Sequence, residues 1–287
     1  MTDGVETGRL AMPGSKTVEI ASSNLASYRA AHRIETKRRI PFGLIWTLVR
    51  TDFKTRYHGA LSGFAWALLK PVTMFIVLMA VFSLVFKDPG YKLNLIIGLF
   101  LWDFFGEATK VGLTSLHTKG FLLSKARCPS WILVVTSVSN AVITLGVFFA
   151  IIVVFLTGEG GAPSPAMLGL FAAYCFALIV IVIGFALSSS VLFLRYRDLN
   201  QVWDVLIQAG LFLGPIIYPI GIIPERFHFF LYLWPPTPVI EFSRDVLVRG
   251  VVPTPTAHAY LALDAALILG LGALVFRWFA PQAAEYL

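Results

Sequence analysis

An all-α polytopic membrane protein is what this sequence predicts, on three observations. Hydrophobic residues make up 57% of the 287 and charged residues 14%, against roughly a quarter charged in a typical soluble domain. Apolar runs of about 20 residues recur along the chain, each long enough to cross a hydrocarbon core of roughly 30 Å. Lys and Arg gather in the gaps between those runs. With a mean hydropathy of +0.77, this pattern excludes disorder and argues against a water-soluble globule.

In chain order, residues 1–39 lack the apolar core and small-residue cleavage site of a secretory signal and are expected to form a cytoplasmic extension. Residues 40–287 are expected to form one membrane domain. It opens with residues 41–59, where Phe42, Ile45, Val49, Phe53 and Tyr57 recur at helical spacing and Arg50, Asp52, Lys54 and Arg56 take the remaining surface. That suits an amphipathic helix in the headgroup layer, with a solvated juxtamembrane helix as the alternative. Six spans follow, at about 64–86, 93–115, 131–156, 167–194, 202–223 and 260–279. Lys70 and Pro71 interrupt the first near its start, where a lysine can snorkel. The second holds Asp103, Glu107 and Lys110, and the fifth holds Pro215 and Pro219. Between spans five and six, residues 224–255 are rich in aromatics and prolines, too polar to cross and too apolar to float free. A pair of short re-entrant helices in the outer leaflet would satisfy them.

Orientation follows from the basic residues. Arg29 to Arg56 precede the first span, Lys119, Lys125 and Arg127 follow the second, and Arg195 and Arg197 follow the fourth. All fall on one side if there are six spans, which puts both termini in the cytoplasm. The net charge of +7 is thus accounted for by topology, and no nucleic-acid partner is expected. Cys128 and Cys175 lie in unlike settings and suggest no disulfide framework.

Several chemistries have no footing here. Gly14-Ser15-Lys16-Thr17 lacks the spacing of a P-loop, and the five histidines are scattered, so neither ATP nor a metal is expected on this chain. Asp198 and Asp204 are read as capping or salt-bridging near Arg195 and Arg197. Asp103, Glu107 and Lys110 stand at i, i+4 and i+7 and share one face of the second span. That face should turn away from lipid, either through a neutralising contact between Glu107 and Lys110 or as part of a pathway. Gly59 and Gly63 form a small-xxx-small pair suited to close helix packing.

Five stretches, in order, are similar to the permease subunits of ATP-binding-cassette exporters that move polysaccharides or teichoic acids on lipid carriers. They are Arg50-Thr-Asp52-Phe-Lys54-Thr-Arg56-Tyr57 through Gly63 and Trp66 to Lys70-Pro71; Gly98, Trp102, Phe104-Phe105 and Glu107; residues 122–133; Tyr196-Arg197-Asp198-Leu199 with Gly214-Pro215-Ile-Ile-Tyr218-Pro219 and Ile223-Pro224; and Arg244 to Gly250. The chain departs from that pattern at Cys128, at Ser130-Trp131 and at Trp234-Pro235-Pro236-Thr237-Pro238.

The resemblance implies a homodimer in the bacterial cytoplasmic membrane, joined by two copies of a separate ATPase that carries ATP and Mg. A lipid-linked glycan such as O-antigen, a cell-wall glycan or teichoic acid is the expected substrate. A short coupling helix within residues 115–129 would meet the ATPase, with Lys119, Lys125 and Arg127 there and Arg50, Asp52, Lys54 and Arg56 on the interfacial helix. Candidate path and gate residues are Phe100, Trp102, Phe104, Phe105, Glu107, Phe212, Tyr218 and Trp234, with Tyr218 placed between the helix-breaking Pro215 and Pro219. Alternatives are a drug or antibiotic efflux permease, a membrane enzyme transferring phosphosugars to a polyprenyl carrier, and a scaffold without transport.

Overall fold

The computed structural model describes residues 42–57, 63–125, 129–160 and 163–283. Among these, regular structure is helical throughout: α1 Phe42–Tyr57, α2 Ala65–Phe82, α3 Tyr91–Lys125, α4 Ser130–Gly158, α5 Pro165–Arg195, α6 Leu199–Leu213, α7 His228–Tyr232, α8 Pro236–Arg244 and α9 Pro255–Ala283. The chain divides into two units, residues 1–44 and 45–287. Of the first, the described residues are the opening ones of α1.

Among the described residues, four helices are long and apolar enough to cross a membrane: α2, α4, α5 and α9. They match the predicted spans 64–86, 131–156, 167–194 and 260–279. The other two predicted spans take different forms. Residues 93–115 are the middle of α3, which runs unbroken for 35 residues. The short coupling helix expected within 115–129 is therefore not a separate element as far as Lys125, because Leu116 stays in the core and the hydroxyls of Ser115 and Thr118 bond back to carbonyls of the same helix. Residues 202–223 do not form one helix: α6 stops after 15 residues, where Gly214 turns extended and Pro215 follows. Gly63 lies in a left-handed turn rather than a helix, so its half of the small-residue pair does not serve helix packing. Gly59, the 122–128 loop side chains and the extension 1–39 fall outside the described residues.

The core is built on α3 and α5. α9 lies along α5, and α4 packs against both α3 and α5. The closest approach is at Gly184 of α5 and Gly272 of α9, where a Cβ on either residue would run into the backbone of the other helix. Phe100 of α3 rests on Phe148 of α4 with ring centroids 4.5 Å apart. Ser164 caps α5, its hydroxyl accepting from the Met167 amide at 3.3 Å, with Pro165 at the first helical position. Past α6, two 3₁₀ turns, Ile220–Ile222 and Glu225–Phe227, lead into α7 and α8. A π-helical turn, Asp245–Arg249, extends α8. α8 is buried along its length against α3 and α5.

Candidate functional site

A charge among apolar helices is costly unless it is paired or faces water, so the polar residues of α3 locate the site. Each finds its partner on a different element. Asp103 meets Lys70 of α2 at 3.2 Å. Glu107 meets Arg56 of α1. Lys110 gives hydrogen bonds of 2.7 and 2.8 Å to the two carboxylate oxygens of Asp204 on α6. Lower on the same helix, Lys119 meets Asp52 of α1. The neutralising contact within α3 between Glu107 and Lys110 is not formed, because α1 and α6 each bring an opposite charge to that face. Asp204 is likewise drawn to α3 rather than toward Arg195 and Arg197.

The upper pairs border a groove of about 730 Å³ between α2 and α6, with α3 as its floor. Trp66 stands on its rim, Trp102 lies beneath, and Asp103, Glu107, Lys110 and Asp204 line it. Beside the groove, Trp102, Phe105, Trp203 and Trp234 form one aromatic cluster with ring centroids 5.8 to 6.4 Å apart. Trp203 donates its indole N–H to the Thr109 hydroxyl at 2.9 Å, and Thr109 donates to the Phe105 carbonyl at 2.6 Å. The Trp234 indole nitrogen is buried with no hydrogen-bond partner.

A second charged assembly holds the outer segment in place. Arg244 of α8 is 2% exposed. Its Nε donates to the Asn94 carbonyl at 3.0 Å, Nη1 to the Pro215 carbonyl at 2.5 Å and to Glu241 Oε1 at 2.6 Å, and Nη2 to the Ile216 carbonyl at 2.7 Å. One guanidinium thus ties the start of α3, the break after α6 and α8 into one joint. Burial draws its pKa down from the ordinary arginine value, and the Glu241 carboxylate offsets part of that. The approach requires Gly98, whose missing side chain leaves the space that the guanidinium occupies. Tyr91 adds a hydroxyl bond to the Ile217 carbonyl at 3.0 Å.

The structure sorts the sequence-predicted path residues. Trp102 and Glu107 border the groove. Phe105 and Trp234 sit in the adjoining aromatic cluster. Phe100 and Phe104 are buried in the core of the chain, and Phe212 is exposed. Tyr218 is half-buried, and its hydroxyl donates to the Phe212 and Leu213 carbonyls at 3.0 and 3.1 Å, closing the open end of α6. Of the predicted coupling residues, Arg50 and Lys54 are exposed on α1, while Asp52, Arg56 and Lys119 are ion-paired. Lys125 ends α3, and Arg127 lies outside the described residues. Sequence reasoning did not single out Lys70, Asp204 or Trp66 for the site; a lysine inside the first span was the available signal.

Several helices long and apolar enough to cross a membrane, with a polar, ion-paired groove beside one of them, define a polytopic membrane protein with a charged face. The sequence model described as ABC-2 type transporter matches residues 43–248, and the chain belongs to that family. It is 25% identical over 213 residues to the O-antigen export system permease protein RfbA of Klebsiella pneumoniae, covering 74% of this chain and 82% of that one. To the RfbA of Myxococcus xanthus it is 25% identical over 190 residues, 64% and 71% of the two chains. To the polysialic acid transport protein KpsM of Escherichia coli it is 22% identical over 232 residues, 79% and 89%.

Proposed function

We propose that this chain is the membrane permease of an ATP-driven exporter that moves a lipid-linked polysaccharide across the bacterial cytoplasmic membrane. The observation that carries this reading is the groove: a long polar polymer needs a wall inside the membrane whose charges are already paired, and α3 supplies one, bordered by aromatic rings. The family and the named activities of the relatives agree with it.

In this reading two copies of the chain pair with their grooves facing, and two copies of an ABC ATPase bind at the cytoplasmic side and hold the ATP and Mg. α3 counts as the second of six spans, and α6 together with the broken segment that follows it as the fifth, with both termini in the cytoplasm. Arg50 and Lys54, exposed on α1, meet the ATPase together with the end of α3. The pairs Asp52–Lys119 and Arg56–Glu107 then carry movement of α1 directly into the groove wall. Closure of the ATPase on nucleotide pushes α1, shifts α3 against α2 and α6, and widens the path between the copies.

The test is co-purification with the ATPase encoded beside this chain. A stable two-plus-two complex whose ATP hydrolysis rises with lipid-linked glycan supports the reading. A chain that recruits no ATPase overturns it.

A further inference from the structure

The groove is lined by the charges of Lys70 and Lys110 against Asp103, Glu107 and Asp204, and Arg56 of α1 pairs with Glu107 from outside it. In both pairs that face the groove, the ammonium is the outer member. The Lys70 side chain is 76% exposed and its partner Asp103 16%; Lys110 is 50% exposed and Asp204 36%. An ammonium has three donors and no acceptor. Lys70 uses one toward Asp103, and the two short bonds of Lys110 both end on one carboxylate. Each lysine therefore keeps donor capacity for a further oxygen while a carboxylate of a neighbouring helix fixes its position. Trp66, one helical turn before Lys70, holds an exposed ring at the same rim.

We infer that the groove binds an oxyanion of an amphiphilic or polymeric ligand, with Lys70 and Lys110 as its two contact points and the Trp66 ring beside them. The inference rests on the export reading and says what the path wall holds. Asp103 and Lys110 are seven residues apart on α3, a rise of roughly 10 Å. The two ammoniums are thus successive stations along the helix rather than one chelating pair. A single phosphate or carboxylate engages one and passes to the other, which suits a ligand in transit better than one held for storage. Asp103 and Asp204 act as positioning residues: they hold the two ammoniums in place and offset their charge in an empty groove. The oxyanion has two chemical sources, the diphosphate of a polyprenyl carrier or an acidic sugar in the polymer.

The experiment uses the full-length chain in nanodiscs without ATPase. The probes are a long-chain polyprenyl diphosphate, the matching uncharged polyprenol, and a lipid-free acidic oligosaccharide. One of the two anionic probes should bind at least about tenfold more tightly than the polyprenol, and K70Q/K110Q should erase that preference, as expected for lost charge-assisted hydrogen bonds. Which probe is preferred identifies the source. The exchanged variant K70D/D103K retains an ion pair but places the ammonium inside and the carboxylate at the rim. It should unfold at the wild-type temperature and still lose binding at that station. Equal binding of anionic and neutral probes, or undiminished binding in K70Q/K110Q and K70D/D103K, overturns the inference. Glycan-stimulated hydrolysis by the assembled wild-type complex reports on the export reading separately, and it survives if the lysines prove to be structural.

Discussion

Arg244 and Lys110 are both paired cations held among apolar helices, and they differ in what surrounds the pair. Arg244 is sealed: its hydrogen bonds go to backbone carbonyls and to Glu241, and α8, α3 and the break after α6 close over it. Lys110 and Asp204 open onto a groove. A sealed charge that loses a partner leaves an unpaired ion with no route to solvent, whereas an open one exchanges its partner for water or ligand. The outer joint is therefore fixed by its charges, and the groove wall is adjustable through them.

Breaking the sealed joint should have the largest effect. Arg244→Met removes the hydrogen-bonded partner of buried Glu241, leaving it only the longer ion pair to Arg249 at 3.6 Å, and frees the carbonyls of Asn94, Pro215 and Ile216, a loss of about 3–5 kcal/mol on the scale of broken buried pairs. Detergent-solubilised protein should show a sharply lower unfolding temperature or fail to accumulate. Arg244→Lys should not rescue it, because an ammonium cannot span the same forked set of carbonyls. A wild-type unfolding temperature for Arg244→Met would mean that the joint is not held by this residue.

The next effect tests the same joint from the opposite side. In Gly98→Ala the added Cβ occupies the space of the Arg244 guanidinium and lies 2.9 Å from the Ile216 carbonyl oxygen. Overpacking of this kind costs about 1–3 kcal/mol. Combined with Arg244→Met it should cost less than the sum of the two, since the clash with the guanidinium disappears and only that with the Ile216 carbonyl remains. Strict additivity in thermal unfolding would separate the two residues.

These two regions differ also in how far the sequence exposes them. The apolar runs that became α2, α4, α5 and α9 are legible because hydrophobicity is local information. α3 is legible as a span over 93–115 but not in its full length to Lys125 or in the partners of its charges, since Lys70, Arg56 and Asp204 arrive from elsewhere in the chain to pair with them. α6 misleads in the opposite direction: hydrophobicity continues to Ile223, while Gly214 and Pro215 end the helix at Leu213. Arg244 and Gly98 both stand in the quoted motifs, yet their meeting depends on a fold that brings two stretches far apart in the chain into contact with one another. Motif order named the family; it could not separate the buried Phe100 and Phe104 from the groove-lining Trp102 and Glu107.

Between the sealed joint and the open wall stands Tyr218, which can be read as a gate or as a helix stop. Tyr218→Phe removes the hydroxyl bonds to the Phe212 and Leu213 carbonyls and keeps the ring, at a cost of about 0.5–1.5 kcal/mol. Tyr218→Ala removes both. If the ring is part of a gate, export falls in Tyr218→Ala and is retained in Tyr218→Phe at a temperature where both are folded. Equal export by the two variants would leave the residue as the stop of α6.

The smallest effect on stability belongs to the open wall, and there the comparison is sharpest. Lys110→Gln breaks a pair whose members are both partly exposed, so the unfolding temperature should shift by no more than the about 0–1 kcal/mol of a surface ion pair. Asp204 is left facing the groove, where water reaches it, rather than trapped as Glu241 would be. Glycan-dependent stimulation of the partner ATPase should nonetheless fall, because the wall has exchanged an ammonium for an uncharged amide and gained net negative charge along the path. A double variant, K110Q/D204N, restores neutrality without restoring the ammonium. If stimulation returns in it, the wall requires only balanced charge, and if it does not, the ammonium itself is what the passing ligand meets. A large drop in unfolding temperature for Lys110→Gln would place this pair with Arg244 among the sealed charges and remove the distinction between the two regions.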